Sequence, residues 1–502
     1  MKRFLRLAII GIGAVAQILF LYAGVHYFIE KYAWIEVALR VISVIVVTYI
    51  VNNSRHISVD MFWILLIVAF PVPGLIIFLF LGAGLISSKT VRRLYKSDKE
   101  SRNYLVQEDC VMQEMQQKMS DIKGDFHYIS KTAGYPFYRN SGYEYYGLGE
   151  LGFPAMLEAL EQASRFIFIE YFIIEDGYMW NQIHGVLKRK ADEGVEIRVI
   201  YDDAGSIGTL SPAYPSQLEK EGIKCICFNR LNPLLNAVMN HRDHRKMLII
   251  DGKTVFSGGI NIADEYINRK SKYGCWKDNC IQVKGEAVWS YTVMFLASWN
   301  AIRKTDENFE VFKNQTSFGV YDGYVAPYGD TPFDGENIGQ CVYANIINSA
   351  KDYIYICTPY LMIDNDLENS LILAAKKGVD VRILTPGIPD KKLVWRITRS
   401  YYGNLIDGGV KIYEYSSGFN HAKVFVSDDR VATVGTFNLD YRSLYLHFEN
   451  GTYLCGSEKV LKIRNDFLSA LRESRRMNKE DVKNNPVANI FIGFAKLFVS
   501  QM

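Results

Sequence analysis

The sequence predicts an α/β protein made of two homologous halves, each a mixed sheet flanked by helices, in a pseudo-two-fold arrangement behind N-terminal transmembrane helices. Three observations predict it. From about Pro136 onward, strand-like and helix-like segments alternate. Those segments recur in the same order at an offset of about 180 residues, and each recurrence ends in a histidine-lysine cluster. The first ~85 residues carry three apolar stretches near the ~20 residues that a spanning helix needs.

Taken in order, residues 1–88 read as a membrane-anchoring region with two or three transmembrane segments, at 7–29, 33–51 and 61–85. Glu36 and Arg40 stand four apart in the second, and Pro71, Pro73 and Gly74 are placed to break the third into a re-entrant hairpin. Basic residues flank both ends of the region, Lys2, Arg3 and Arg6 before it and Lys89, Arg92, Arg93 and Lys96 after it, so the positive-inside rule puts both ends in the cytoplasm and calls for an even number of crossings, where three segments give an odd one. "GIGAVA" (11–16) matches a dinucleotide fingerprint in letters only. It lacks the preceding strand and following amphipathic helix, and reads as small residues of a membrane helix. Residues 89–135 are charged and Gln-rich, a helical linker. The halves are 136–325 and 326–475, and 476–502 is an amphipathic tail that suits an interfacial helix or a terminal helix packed on the body.

The repeat is visible in three pairs of segments. "SRFIFIEYFIIEDG" (164–177) matches "KDYIYICTPYLMIDN" (351–365), "GVEIRVIYDDAGS" (194–206) matches "GVDVRILTPGIPD" (378–390), and "EGIKCICFN" (221–229) matches "GGVKIYEYS" (408–416). Composition limits what the chain binds. The net charge is +3, from 57 basic and 54 acidic residues, which is not the basic excess of a nucleic-acid-binding protein. The eight cysteines include no C-x-x-C pair and read as free thiols.

Each half then delivers "HRKMLIIDGKTVFSGGIN" or "HAKVFVSDDRVATVGTFN". Both fit His-x-Lys, four residues, Asp, six residues, Gly, two residues, Asn. The positions are His244, Lys246, Asp251, Gly258 and Asn261, then His421, Lys423, Asp428, Gly435 and Asn438. On a strand, residues two apart share a face, so each His-Lys pair points one way. Asp251 lies on the other parity and, with Gly252, forms a hairpin turn. Gly258 and Gly435 end apolar strands, where a missing side chain lets a ligand approach the backbone. Two lysines suit an anion with several charged oxygens, such as phosphate. Two histidines suit a two-step displacement, one attacking phosphorus and the other moving the proton of the leaving and entering oxygen. This chemistry requires no metal and no cofactor. A nucleophilic imidazole also needs a partner at its second nitrogen. Asp278 and Glu449, each downstream of one motif, are the candidate orienting carboxylates, while His241 and His447 read as accessory or structural.

At these residues the chain resembles the phospholipase D superfamily, whose signature is this motif used twice, and the resemblance spans about 136–475. "NNSRHISVDMFWILLIVAFPVPGLIIFLFLGAG", "IEYFIIEDG", "TPYLMIDNDL" and "FNLDYRSLYLHFENG" are similar to segments of bacterial cardiolipin synthases. The resemblance implies transfer of a phosphatidyl group from one phosphatidylglycerol to another through a phospho-histidine, giving cardiolipin and glycerol, in a multi-pass protein of the cell membrane. It makes His244 and His421 nucleophile and general acid/base, with His244 attacking. It places Lys246, Lys423, Asn261 and Asn438 on the phosphate and carries Asp251 and Asp428 into the catalytic set. Another phosphatidyltransferase or a phospholipid hydrolase would use the same residues. A nuclease or a non-catalytic scaffold fits less well. The chain departs from the pattern in its extra apolar segment at 7–29 and in His447, where a small polar residue is expected.

Overall fold

The computed structural model describes residues 33–54, 57–81, 89–231, 241–316, 318–482 and 486–499, with isolated positions between 8 and 27. The apolar segment at 7–29, with its "GIGAVA", therefore lies outside the described residues except for those positions.

The first half contributes β1 (Ser141–Tyr146), β2 (Phe166–Tyr171), β3 (Glu196–Asp202) and β4 (Lys224–Phe228). It continues with β5 (Lys246–Ile250), β6 (Thr254–Gly258), β7 (Cys275–Lys277) and β8 (Cys280–Gly285). The second half contributes β9 (Tyr324–Asp330), β10 (Tyr353–Cys357), β11 (Asp380–Pro386) and β12 (Lys411–Tyr415). After these come β13 (Gly418–Asn420), β14 (Val424–Ser427), β15 (Val431–Gly435), β16 (Glu449–Cys455) and β17 (Ser474–Arg476). One sheet has seven strands in the order β1-β8-β6-β5-β2-β3-β4. The other has eight, β17-β12-β11-β10-β14-β15-β16-β9. Apart from the added β17, the second order repeats the first strand for strand. The boundary drawn at 325/326 falls inside β9.

Local sequence explains the mixed pairing. The strands β2, β3 and β4 are joined by helices Tyr178–Asp192 and Tyr214–Lys220 and run parallel. In the second half, Asn365–Lys376 and Lys392–Asp407 do the same for β10, β11 and β12. Parallel neighbours need such crossovers. Gly194 and Gly378 adopt positive φ just past the first crossover helix of each half, a conformation that favours glycine. The pair β5–β6 is an antiparallel hairpin turned at Asp251 and Gly252, both at positive φ. Between the sheets runs the helix Val288–Arg303, buried from Val288 to Ala301. The short strand β7 of the first half pairs in parallel with β13 of the second, which ties the halves together beside the site.

The linker is helical and packed rather than loose. On helix Lys89–Ser101, Arg93 Nε and Ser97 Oγ donate to the Ala301 and Ala297 carbonyls at 2.9 and 2.8 Å. Tyr453 of β16 donates to the buried carboxylate of Asp125 at 2.6 Å.

The expected N-terminal transmembrane helices are not supported. Among the described residues, no helix is long and apolar enough to cross a membrane. The stretch at 61–85 breaks where Pro71 and Pro73 interrupt it, giving helices Ile57–Ala69 and Pro71–Leu81 of 13 and 11 residues. At 1.5 Å per residue these reach roughly 20 and 16 Å, against a hydrocarbon core of about 30 Å. Gly74 lets the two arms close, since a Cβ there would sit 2.3 Å from the Leu66 carbonyl oxygen. Helix Ala33–Asn53 is longer, with 21 residues, but its first half carries Glu36 and Arg40. It packs on the hairpin through Ser43 Oγ, which donates to the Pro71 carbonyl at 2.6 Å, and through a cluster of Ile50, Ile67 and Phe78.

At the other end, helix Pro486–Lys496 packs one face on the body. Ile492 and Ala495 are buried, as is Val499 just past its end, and Lys496 Nζ lies 3.4 Å from the Ser400 carbonyl. Ile490, Phe491 and Phe494 remain exposed. All eight cysteines are free.

Candidate active site

The two motifs meet where the halves meet. β5 begins at Lys246 and β14 at Val424, so His244, His421 and Lys423 lie in the extended runs that lead into these strands, not within them. The runs are held by the opposite half. His244 N–H donates to the Phe448 carbonyl at 2.9 Å, and His421 N–H to the Lys277 carbonyl at 2.7 Å. Lys246 N–H donates to Asn450 Oδ1 and Lys423 N–H to Asn279 Oδ1, both at 3.2 Å. Four backbone contacts thus repeat about the pseudo-two-fold, and Arg245, between His244 and Lys246, turns the other way to Ser298 Oγ at 3.2 Å.

The carboxylates are exchanged. Nδ1 of His244 lies 2.9 Å from both oxygens of Glu449, and Nδ1 of His421 lies 2.6 Å from Asp278. Each histidine is therefore oriented by the acid downstream of the other motif. Both acids are fully buried and both histidines are 7% exposed. Thr436 Oγ1 also donates to Glu449. The first half has Gly259 at the matching position, where any Cβ would fall 1.9 Å from Asp278 Oδ1.

Lys246 Nζ donates to the His244 carbonyl at 2.8 Å. Lys423 Nζ donates to the His421 carbonyl and lies 2.9 Å from His421 Nδ1. Burial pulls Lys246 down to about 8 and Lys423 to about 7. Burial, followed by the charge of Lys423, pulls His421 down to about 4 against the opposing pull of Asp278. His244 is depressed by burial, then by Lys246, His447, Lys423 and His421. Burial raises Glu449. A buried cluster that resists positive charge in this way is ready to accept an anion, whose charge would favour the protonated lysines. Phe172 flanks His244, with ring centroids 5.1 Å apart, and Tyr266 and Trp276 flank His421 at 5.4 Å.

Other sequence-derived site residues have different places. Asp251 and Asp428 do not reach the histidines, which corrects their assignment to the catalytic set. The Asp251 carboxylate accepts from Ser164 N and Oγ, Arg165 N and Phe166 N at 2.7–2.9 Å. The Asp428 carboxylate accepts from Lys351 N, Asp352 N and Tyr353 N at 2.7–3.0 Å. Each staples the hairpin turn after its motif to the start of a neighbouring strand. Gly258 and Gly435 make room for protein rather than ligand: a Cβ would sit 2.6 Å from the Asn279 carbonyl oxygen or 2.5 Å from that of Asn450. Asn261 accepts from Ile173 N–H and donates to the Tyr266 hydroxyl, and Asn438 donates to Asp440 at 3.0 Å.

Sequence reasoning missed Asn279, Asn450, Thr436 and Trp276. The two asparagines had a readable signal, an acid-Asn dipeptide ("DN" at 278, "EN" at 449) in both halves. The Asn279 Nδ2 and Trp276 Nε1 groups are buried without a protein partner beside His421. Among the described residues, one group has the donor types and spacing for a metal ion: His244, His447 and Glu449, whose ligand atoms lie within 4.8 Å of one another. A separate cavity of about 930 Å³, lined by residues such as Tyr104, Arg139 and Glu286, contains none of the motif histidines or lysines.

Known proteins match this arrangement. A family model described as "Cardiolipin synthase, PLD-like domain" matches residues 156–290 and 343–471, one stretch in each half. A cardiolipin synthase from Alkalihalophilus pseudofirmus is 34% identical, over 86% of this chain and 87% of its own length. An uncharacterised protein from Streptococcus mutans is 40% identical, over 91% of this chain and 99% of its own. Among solved structures, a phosphatidylserine synthase from Haemophilus influenzae superposes with a TM-score of 0.58 at 15% identity, covering 76% of this chain and 98% of that one, a likeness of fold.

Proposed function

Because the chain belongs to the cardiolipin synthase, phospholipase D-like domain family, and has the cardiolipin-forming phosphatidyltransferase activity of that family, we propose that it joins two phosphatidylglycerol molecules through a phospho-histidine. The observation that carries this reading is the exchanged pair of buried imidazole-carboxylate contacts, His244 with Glu449 and His421 with Asp278. Two histidines oriented in this way, with two lysines beside them, support a site for one phosphate.

In the first step, the free Nε2 of His244 attacks the phosphorus of one lipid. A P–N bond forms, the P–O bond to the headgroup breaks, and His421 gives its proton to the departing glycerol. In the second, a hydroxyl of another phosphatidylglycerol attacks the same phosphorus. His421 takes the hydroxyl proton, the P–N bond breaks, and cardiolipin leaves. Lys246 and Lys423 hold the non-bridging oxygens, and Glu449 steadies the positive charge on His244 when it becomes phosphorylated. The aromatic walls keep water from taking the place of the second lipid.

The lipid substrates bring the protein to the surface of the cell membrane, where the exposed Ile490, Phe491 and Phe494 can enter the interface. The near-balanced charge favours lipid over nucleic-acid phosphodiesters. The test is to incubate the purified protein with phosphatidylglycerol alone and resolve the products. Cardiolipin with equimolar glycerol is expected. Phosphatidic acid with glycerol and no cardiolipin would make it a hydrolase.

A further inference from the structure

His447 lies beside the reacting groups, and the mechanism above gives it nothing to do. Its side chain is 10% exposed, and neither ring nitrogen has a hydrogen-bond partner. Nδ1 is 3.7 Å from Glu449 Oε1, too far for a hydrogen bond, and the ring lies 5.7 Å from that of His244. The chain, rather than the ring, sets this position. His447 N–H donates to the Arg442 carbonyl, and the neighbouring Phe448 carbonyl receives the His244 N–H, each at 2.9 Å. His447 sits at the bend between the helix Tyr441–Tyr445 and β16, two residues before Glu449, and its imidazole there approaches the carboxylate that orients His244.

A buried polar group without a partner is costly and calls for an explanation. His241, by contrast, is satisfied, with Nδ1 3.0 Å from the Leu446 carbonyl oxygen. Burial and the charges of Arg442, His241, Arg242 and Lys246 keep His447 neutral, so it offers one N–H and one lone pair. A metal ion is a poor match for those nitrogens. The surrounding charge is positive, and Glu449 already receives His244 and Thr436. The better complement is an anionic ligand that carries hydroxyls, which can both accept and donate. A phosphoglycerol headgroup is such a group.

We propose that His447 is a specificity-determining residue that holds a glycerol hydroxyl of the lipid headgroup beside His244. This rests on the phosphatidylglycerol reading above and adds to it the residue that tells a polyol headgroup from a plain alkyl one.

The test compares headgroup release from phosphatidylglycerol and from phosphatidylpropanol with the same acyl chains, in mixed micelles, by the full-length wild type, His447→Phe and His447→Asn. Headgroup release precedes the choice between lipid and water as acceptor, so it reads His447 whether or not cardiolipin is the final product. His447→Phe keeps a ring and loses both nitrogens. It is expected to lower kcat/KM for phosphatidylglycerol by about tenfold or more, with phosphatidylpropanol within about twofold of wild type. His447→Asn, which keeps a donor and an acceptor, is expected to recover part of the loss. An equal loss on both lipids would overturn the proposal and leave His447 as a support for His244, and no loss on either would also overturn it. Saturable Zn²⁺ binding that disappears in His447→Phe, together with equal losses on the two lipids, would reassign the nitrogens to a metal. A wild type that releases neither headgroup would remove the phosphatidyl-transfer reading and this proposal together.

Discussion

Glu449 of the second half places both carboxylate oxygens 2.9 Å from Nδ1 of His244 in the first. Asp278 of the first half returns the contact to His421 of the second at 2.6 Å. Each half therefore completes the imidazole–carboxylate pair of the other, although each carries a complete motif. Glu449→Gln and Asp278→Asn keep the size of the side chain but lose its charge, and each is expected to cut kcat by roughly 10²–10⁴ with a much smaller change in KM. Steady-state kinetics on phosphatidylglycerol checks this. A loss below tenfold in either variant would mean that the pairs do not orient the reacting imidazoles.

The assignment of His244 as nucleophile can be tested with a donor whose leaving group needs no proton, a phosphatidyl p-nitrophenol. His421→Ala is expected to release one equivalent of nitrophenol rapidly and then stall with a labelled phospho-enzyme. His244→Ala is expected to show no burst. The reverse pattern would exchange the two roles.

The lysines set the pH response. In the free protein Lys423 is held at about 7 and Lys246 at about 8 by burial. As pH rises through 7–8 both lose their protons and with them their hold on phosphate, so kcat/KM is expected to fall on that limb. Stability follows the opposite sign. An unfolded lysine keeps its proton to about 10.4, so between about 7 and 10.4 the unfolded chain binds more protons than the folded one, and folding stability rises with pH across that window. Below about 7 the full cost of the buried cation is present. Lys423→Met should therefore raise Tm at pH 6 while lowering activity by about 10² or more. A Tm lower than wild type at pH 6 would contradict the buried-cation account.

Much of this was legible in the sequence because it depends on local order. The repeated strand segments predict the matching sheets, and the doubled His-x-Lys predicts one site at the interface. The exchange of carboxylates was not legible, since a pseudo-two-fold axis decides which of Asp278 and Glu449 meets which histidine. Spacing correctly put Asp251 on the wrong parity, but the family pattern carried it into the catalytic set. Hydropathy misjudged the N-terminus because it counts apolar residues, whereas the break that Pro71 and Pro73 signal in the sequence divides one apolar stretch into two short helices.

The turn aspartates provide a stability test that separates them from catalysis. Asp251→Asn removes the charge from four hydrogen bonds at a buried turn and is expected to cost about 2–4 kcal/mol. Asn tolerates the positive φ at this position, so backbone strain does not confuse the result. Asp428→Asn, at a less buried turn, should cost less. Denaturant titration measures both, and the folded fraction should keep kcat within a few-fold of wild type. Loss of kcat without loss of stability would return these residues to the catalytic set.

Helix Pro486–Lys496 has one face on the body and another toward solvent. Ile492 and Ala495 are buried, while Ile490, Phe491 and Phe494 are 75%, 58% and 60% exposed. Exposed apolar side chains on a helix that is anchored by its other face are suited to enter a lipid interface, each adding up to about 1.5–3 kcal/mol if fully buried there. Replacing all three by Ser removes that gain and leaves the packed face untouched. The triple variant is expected to bind phosphatidylglycerol vesicles roughly 10²-fold more weakly by sedimentation and to lose activity on vesicles in proportion, while keeping near wild-type turnover on short-chain lipid dispersed in micelles. The micellar assay distinguishes lost docking from a damaged site. If vesicle binding and vesicle activity are both unchanged, the exposed face of this helix does not meet the membrane.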